Sequence, residues 1–285
     1  MQHIRERRDR GMKSNLLRKI TGYVVIIISS LVMTIPFLTT VFNSLKSYVQ
    51  YTQVPPKWFP DPIEWSNYTE VWKLGPFGQY TLNSAIVTVF SVVGALISCS
   101  MVGYAFARLK FPFKSTLFLV VLGTMMIPPV VLIIPQFVIF KYMHMLDTLT
   151  PLWIIEWLAQ PFGIFLMRQA FLGIPRDYEE SAKLDGCNPM QIYWRIFLPM
   201  CKPTFATLAV FTFMSKWNEI LAPAIFLTSK ENFTLPIGIL SMAGQWSGNE
   251  QYMVAAALMS LVPILLVFLF AEKYFVQGSN SAGIK

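Results

Sequence analysis

Three ionisable residues stand inside long apolar stretches of this sequence: Glu156, Lys216 and Glu219. Charge in such surroundings is costly to bury and marks either a function or a locked pair. Lys216 and Glu219 are three apart, so on a helix they share a face and can pair. Between them lie Trp217 and Asn218. Trp217, Asn218 and Glu219 together offer an aromatic face, an amide and a carboxylate. Those groups suit a hydroxyl-rich solute, whose C–H surface lies on a ring while its hydroxyls bond to polar groups. Two readings stay open here: a buried ion pair tying helices together, and the wall of a polar pathway. Other chemistry is poorly supplied. Two histidines (His3, His144) and three cysteines (Cys99, Cys187, Cys201) without a C-x-x-C provide no metal cluster, hydrolase triad or disulfide framework. No Gly is followed by Lys, so no phosphate-cradling loop can be drawn and no ATPase activity is expected of this chain.

The elements that carry these residues follow from composition. Hydrophobic residues make up 54% of the 285, and charged residues only 13%, against roughly 25% in soluble domains. Mean hydropathy is +0.51. The chain reads as an all-α, multi-pass membrane protein. A crossing helix needs about 20 mostly apolar residues, and six stretches qualify: roughly 20–45, 81–107, 115–140, 151–167, 204–226 and 252–271. The first is too long for a cleaved signal peptide. With the N-terminus inside, 17 of the 23 Lys and Arg fall on inner segments, which is the positive-inside bias. This predicts a cytoplasmic tail at 1–19, a membrane domain at 20–271, a cytoplasmic tail at 272–285 and a bacterial inner-membrane location. The net charge of +8 is then a topology signal rather than a nucleic-acid footprint. The outer loop 47–79 is rich in Pro, Trp and Tyr, and reads equally as an interfacial aromatic belt or as a docking surface for an external partner.

The inner segment 168–203 is too long and too well punctuated for a linker. Asp177 with Glu180 three residues on suits a capping box. Gly186 suits a left-handed stop. Asn188, Pro189 and Gln191 suit the start of a second short helix. The result is a helix–Gly–helix knuckle. The acidic Asp177, Glu179, Glu180 and Asp185 would be repelled by an anionic leaflet, so the first helix reads as a protein-docking element.

Within that knuckle, Glu180-Ser181-Ala182, three residues, Gly186, nine residues and Ile196-Phe197-Leu198-Pro199 resemble the EAA loop of ABC importer permeases. Ser181 replaces the usual middle Ala. Further stretches resemble the carbohydrate-uptake branch and its smaller, maltose-type six-span permease. They include Asn83-Ser84, Gly103 to Leu109, Met126-Ile127-Pro128, Trp217-Asn218-Glu219, Leu235-Pro236 and Gly283-Ile284-Lys285. The resemblance implies a type I ABC importer permease fold with six spans and 168–203 as the coupling loop. It implies Glu179, Glu180, Ser181, Ala182, Asp185 and Gly186 as the ATPase-coupling residues, and Trp217, Asn218 and Glu219 as substrate-pathway residues. It further implies a second permease subunit, two ATPase subunits holding ATP and Mg, an extracytoplasmic solute-binding protein and a sugar as cargo, with no cofactor on this chain. A secondary carrier or channel is the alternative. Against it stand the lack of an evident internal repeat and of an acidic relay.

Overall fold

A computed structural model describes residues 2–242 and 250–281, with side chains for 18–242 and 250–273. Every regular element among the described residues is helical. In order they are α1 (Gln2–Ser44), α2 (Tyr48–Thr52), α3 (Ser66–Leu74), α4 (Phe77–Arg108), α5 (Lys114–Thr124), α6 (Pro129–Tyr142), α7 (Thr150–Ile154), α8 (Pro161–Leu172), α9 (Asp177–Leu184), α10 (Pro189–Ile192), α11 (Leu198–Met200), α12 (Lys202–Trp217), α13 (Leu221–Phe226), α14 (Leu235–Met242) and α15 (Glu250–Ser281). They fall into two packing units, residues 2–71 with 250–258 and residues 72–242 with 259–281.

Among the described residues, three helices are long and apolar enough to cross a membrane: Arg18–Ser44 within α1, α4, and Glu250–Lys273 within α15. Two bent pairs pass the same test, α5 with α6 and Pro189–Met200 with α12. The helices divide differently from the apolar stretches at several points. Residues 2–19, read as a tail, are helical and continuous with α1. The tail expected from 272 is helical to Ser281, and Gly283-Ile284-Lys285 lie outside the described residues. The stretch 115–140 is not one rod, because α5 and α6 meet at 97°. Pro128 and Pro129 explain the break: neither has an N–H to give, and each pushes the preceding residue out of helical geometry. The stretch 151–167 is α7, a 3-10 turn (Ile155–Leu158) and the start of α8, divided at Ala159 in left-handed conformation (φ 59°). It is absent from the set of candidate spans. The stretch 204–226 splits into α12 and α13, since the ring of Pro223 would clash with the carbonyl of residue 219 in a continuous helix.

In the first unit, residues 18–38 of α1 are exposed. The C-terminal end of α1 is tied to α3. Asn67 is buried and its Nδ2 donates to the carbonyls of Ser44 (2.8 Å) and Lys46 (2.9 Å).

In the second unit, α4 is the central post. Helices α7, α8, α12 and α14 pack along it. Crossings that close need small residues. A Cβ on Gly103 would lie 2.8 Å from Met167 Cβ and 3.0 Å from the Arg168 backbone nitrogen, so α4 and α8 meet there nearly backbone to backbone. In the N-terminal part of α4, Asn83 Nδ2 donates to Glu231 O (2.8 Å) and Phe233 O (2.9 Å), and Ser84 Oγ accepts from Leu235 N (2.8 Å). Asn83-Ser84 is therefore the clip that holds the loop before α14.

Candidate functional site

The knuckle at 168–203 is built largely as its punctuation suggests. Helix α9 ends in a Schellman motif. Cys187 N donates to Ala182 O (2.9 Å), Gly186 N donates to Lys183 O (3.0 Å), and Gly186 holds φ +80°. No atom lies within 4 Å of the position of its missing Cβ, so the demand for glycine is conformational rather than steric. The second helix opens with a full capping box: Gln191 N donates to Asn188 Oδ1 (2.9 Å) and Asn188 N to Gln191 Oε1 (2.8 Å). The expected capping box at Asp177 is absent. Asp177 already lies in the first turn, the N-cap is Arg176, and no side chain caps it. The three acids of that turn, Asp177, Glu179 and Glu180, act instead on the positive end of the helix dipole.

A seat on α4 fixes where the knuckle points. Tyr104 packs against Tyr193 (5.2 Å between centroids), Phe197 (5.3 Å) and Phe171 (5.9 Å). Edge-to-face pairs of this kind contribute about 0.5–1.5 kcal/mol each beyond area burial. Its hydroxyl donates to Pro189 O (3.1 Å), while Ser100 Oγ and Tyr193 OH pair at 2.6 Å. Arg108, 5% exposed at its side chain, closes the arrangement. It donates to the carbonyls of Phe171 in the last turn of α8 and Ile174 beyond it, lies 4.8 Å over the Phe197 ring and faces Glu179 at 3.8 Å. Glu179 also receives Lys183 Nζ at 2.6 Å. One guanidinium thus joins the end of α4, the exit of α8, α9 and the second helix of the knuckle. Only its rigid fork of donors reaches so many acceptors.

This geometry divides the expected coupling set. Ala182 is buried in the aromatic core and Glu179 faces Arg108, so both hold the helix in place. Glu180, Ser181, Asp185 and Gly186 are exposed. Beside them stand two apolar side chains that sequence reasoning passed over, Leu184 (89% exposed) and Tyr178 (51%). An acidic helix bearing uncovered Leu and Tyr has the composition of a docking surface. Arg108 and Tyr104 were also missed as site residues. Arg108 counted only toward topology, although a cation closing an apolar helix beside the knuckle was the available signal.

The second candidate site lies around Lys216. Its Nζ is 3.0 Å from Glu219 Oε2 and 3.2 Å from Glu156 Oε1. Glu156 is buried and also accepts from Gln160 Nε2 (2.7 Å). The pair expected at Lys216–Glu219 is therefore a triad, with the 3-10 turn before α8 supplying the third member. Glu219 keeps 27% of its side chain exposed and lines a cavity of about 570 Å³ with Gln136, Gln160 and Lys216. The other two pathway candidates lie elsewhere. Trp217 is 4% exposed, stacks on Phe213 and donates Nε1–H to Ser260 O (3.0 Å). It lines neither this cavity nor the smaller one beside Glu156, and serves packing because its N–H is bonded and its ring is buried. Asn218 is exposed and caps its own helix, donating to Met214 O (2.8 Å). Of the three, Glu219 alone lines this cavity. No grouping of His, Cys, Asp and Glu fit for a metal occurs among the described residues.

Residues 99–277 match the family described as binding-protein-dependent transport system inner membrane component, a segment that holds both the knuckle and the Lys216 triad. This chain belongs to that family. It is 33% identical, over 90% of its length and 92% of the relative's, to the arabinooligosaccharides transport system permease protein AraQ of Bacillus subtilis. It is 30% identical, over 90% and 94%, to the sn-glycerol-3-phosphate transport system permease protein UgpE of Yersinia enterocolitica. Among solved structures it resembles a chain of a bacterial ABC transporter that imports the acidic polysaccharide alginate (27% identity, TM-score 0.78, covering 92% of this chain and 98% of that one). A chain of the MetNI methionine transporter shares the fold alone (17% identity, TM-score 0.52, covering 73% and 94%). The protein is an ABC importer permease, all-α and multi-pass in the membrane.

Proposed function

We propose that this chain forms one half of the translocation pore of an ATP-driven sugar or oligosaccharide importer. The observation that carries the reading is the exposed acidic face of α9, held on α4 through Arg108. Glu180, Ser181, Asp185 and Gly186, with Tyr178 and Leu184, meet the ATPase subunit. Two such subunits hold ATP and Mg, and their closure moves α9 as a rigid body. A second permease subunit completes the pore, and an extracytoplasmic binding protein delivers cargo. Both termini lie in the cytoplasm. The sugar assignment draws on relatives named for arabinooligosaccharides and for alginate, and Glu219 is the pathway residue.

The test is reconstitution in proteoliposomes with a partner permease, an ATPase and a binding protein from the same organism. ATP-dependent uptake of a radiolabelled neutral oligosaccharide is expected, with no hydrolysis by this chain alone. Failure of the ATPase to bind the complex, or hydrolysis by the isolated chain, would overturn the assignment.

A further inference from the structure

Three helix interruptions meet at the cavity beside Glu219. Met125 and Ile127 come from the bend between α5 and α6, Ala159 and Gln160 from the break before α8, and Glu219 from the gap between α12 and α13. At membrane depth, broken helices survive where protein or water takes up the freed backbone groups, and carriers place solute sites at such breaks. A volume of about 570 Å³ lies within the roughly 300–1,000 Å³ of small-molecule pockets. Among the described residues lining it, Lys216 is the sole cation and it faces two carboxylates, Glu156 and Glu219. Its charge is thus answered twice over within the protein. Gln136 and Gln160 add amides, which donate to and accept from hydroxyls without favouring either sign of charge.

Resting on the pore reading above, we propose that this cavity is a solute subsite contributed by this chain. It admits neutral, hydroxyl-rich solutes such as unsubstituted saccharides, and the surplus negative charge of the Glu156–Lys216–Glu219 triad turns away phosphorylated or carboxylated ones. Relatives of this chain carry names of both kinds, a neutral oligosaccharide and a glycerol phosphate, so cargo charge is a property on which members of the family differ. A site for an anion needs an uncommitted cation; here the one cation is committed to Glu219 on the wall and to Glu156 buried behind it. The apolar lining, including Leu132, Ile133 and Phe162, would cover the C–H faces of a sugar.

The experiment uses the assembled complex in permeabilised membranes and needs no knowledge of the cargo. A cysteine is placed on the wall as Gln136→Cys, and its labelling is read above the background of Cys99, Cys187 and Cys201. The probes are two methanethiosulfonate reagents, one bearing a trimethylammonium group and one a sulfonate, each normalised to its rate with a free thiol. The cationic reagent should react about tenfold faster, and adding Glu219→Gln should bring the ratio close to one. Thr124→Cys, on the same wall, replaces Gln136→Cys if that variant does not assemble. Equal rates, or a faster anionic reagent, would overturn the charge filter. Protection from both reagents would mean that a helix of the partner permease fills the cavity, which overturns the subsite. ATP-dependent uptake by that same complex would leave the importer reading standing in either case. Labelling as expected without any uptake would sink the importer reading alone.

Discussion

The knuckle rests on α4 and the cavity lies among the broken helices between α5 and α13, and they use charge in different ways. At the knuckle a single buried cation, Arg108, is surrounded by two carbonyl oxygens, an aromatic face and Glu179, and Lys183 balances the same carboxylate. The cation is enclosed by fixed partners from several elements, and the segment is closed at both helix ends by backbone and side-chain bonds. At the cavity, Lys216 answers two carboxylates and helices stop short on three sides. A buried cation that ties several elements together makes a rigid strut. Charge in surplus beside a polar opening makes a field that a passing solute feels. A part that transmits motion and a part that passes cargo have contrary needs, and one chain meets both by how it pairs its few buried ions.

The largest expected effect breaks the strut. Arg108→Ala removes the donors for Phe171 O and Ile174 O and leaves Glu179 without its buried partner, a loss of about 3–5 kcal/mol for such a site. Uptake should fall to background. Arg108→Lys keeps the charge but not the fork, and should yield an assembled complex that spends more ATP per solute carried. Normal stoichiometry in Arg108→Lys, measured in proteoliposomes, would show that Arg108 does not position the knuckle.

Next comes the triad. Lys216→Met sets Glu156 and Glu219 against each other with no cation between them, and should cost about 3–5 kcal/mol of stability. Lys216→Met with Glu219→Leu should not recover, because Glu156 stays buried and unpaired; adding Glu156→Gln should restore assembly. Thermal melting of the purified complex ranks the three. Full recovery in the double variant would reduce the triad to a pair.

A smaller effect is expected at Gly186. Gly186→Val forces a branched side chain into φ +80°, at about 1–2 kcal/mol. Gly186→Asn, which tolerates that region, should be much milder, since the space around the site is open. Pull-down of the ATPase subunit should order them wild type, Asn, Val. Equal loss in both variants would point to a direct contact by the glycine backbone instead of to strain.

The smallest effect concerns Asp147, between α6 and α7. Asp147 accepts from Thr228 N (2.9 Å), Ser229 N (2.8 Å) and the Ser229 hydroxyl, and these bonds hold its carboxyl below the usual carboxylate range. A depressed folded value stabilises above the unfolded pKa, near 3.9, and that stability is lost as pH falls through the folded value. The melting temperature should therefore drop on acidification below about pH 4, and less so in Asp147→Asn. Identical acid profiles for the two proteins would remove Asp147 from the account.

Composition alone dictated the membrane class, because a chain with so few charges and so many apolar residues has no soluble way to cover itself. The knuckle was legible for a similar reason. Caps, a positive-φ glycine and N1 prolines act within a few residues, so Gly186 and Asn188-Pro189-Gln191 declare themselves without any tertiary partner. Helix ends set by distant packing were not legible. The apolar run at 151–167 carries no mark of Ala159 in left-handed conformation, and hydropathy cannot distinguish a straight span from the 97° bend at Pro128-Pro129. The roles of single residues depended most on the fold. Trp217, Asn218 and Glu219 are consecutive, yet one is buried in packing, one caps a helix and one lines the cavity. Glu156 and Lys216 are sixty residues apart in sequence, and Arg108 and Glu179 seventy-one. Short-range bonds are written in the order of residues, whereas ion pairs across such distances exist only once α4, α8 and α12 are packed, and the tertiary structure alone decides them.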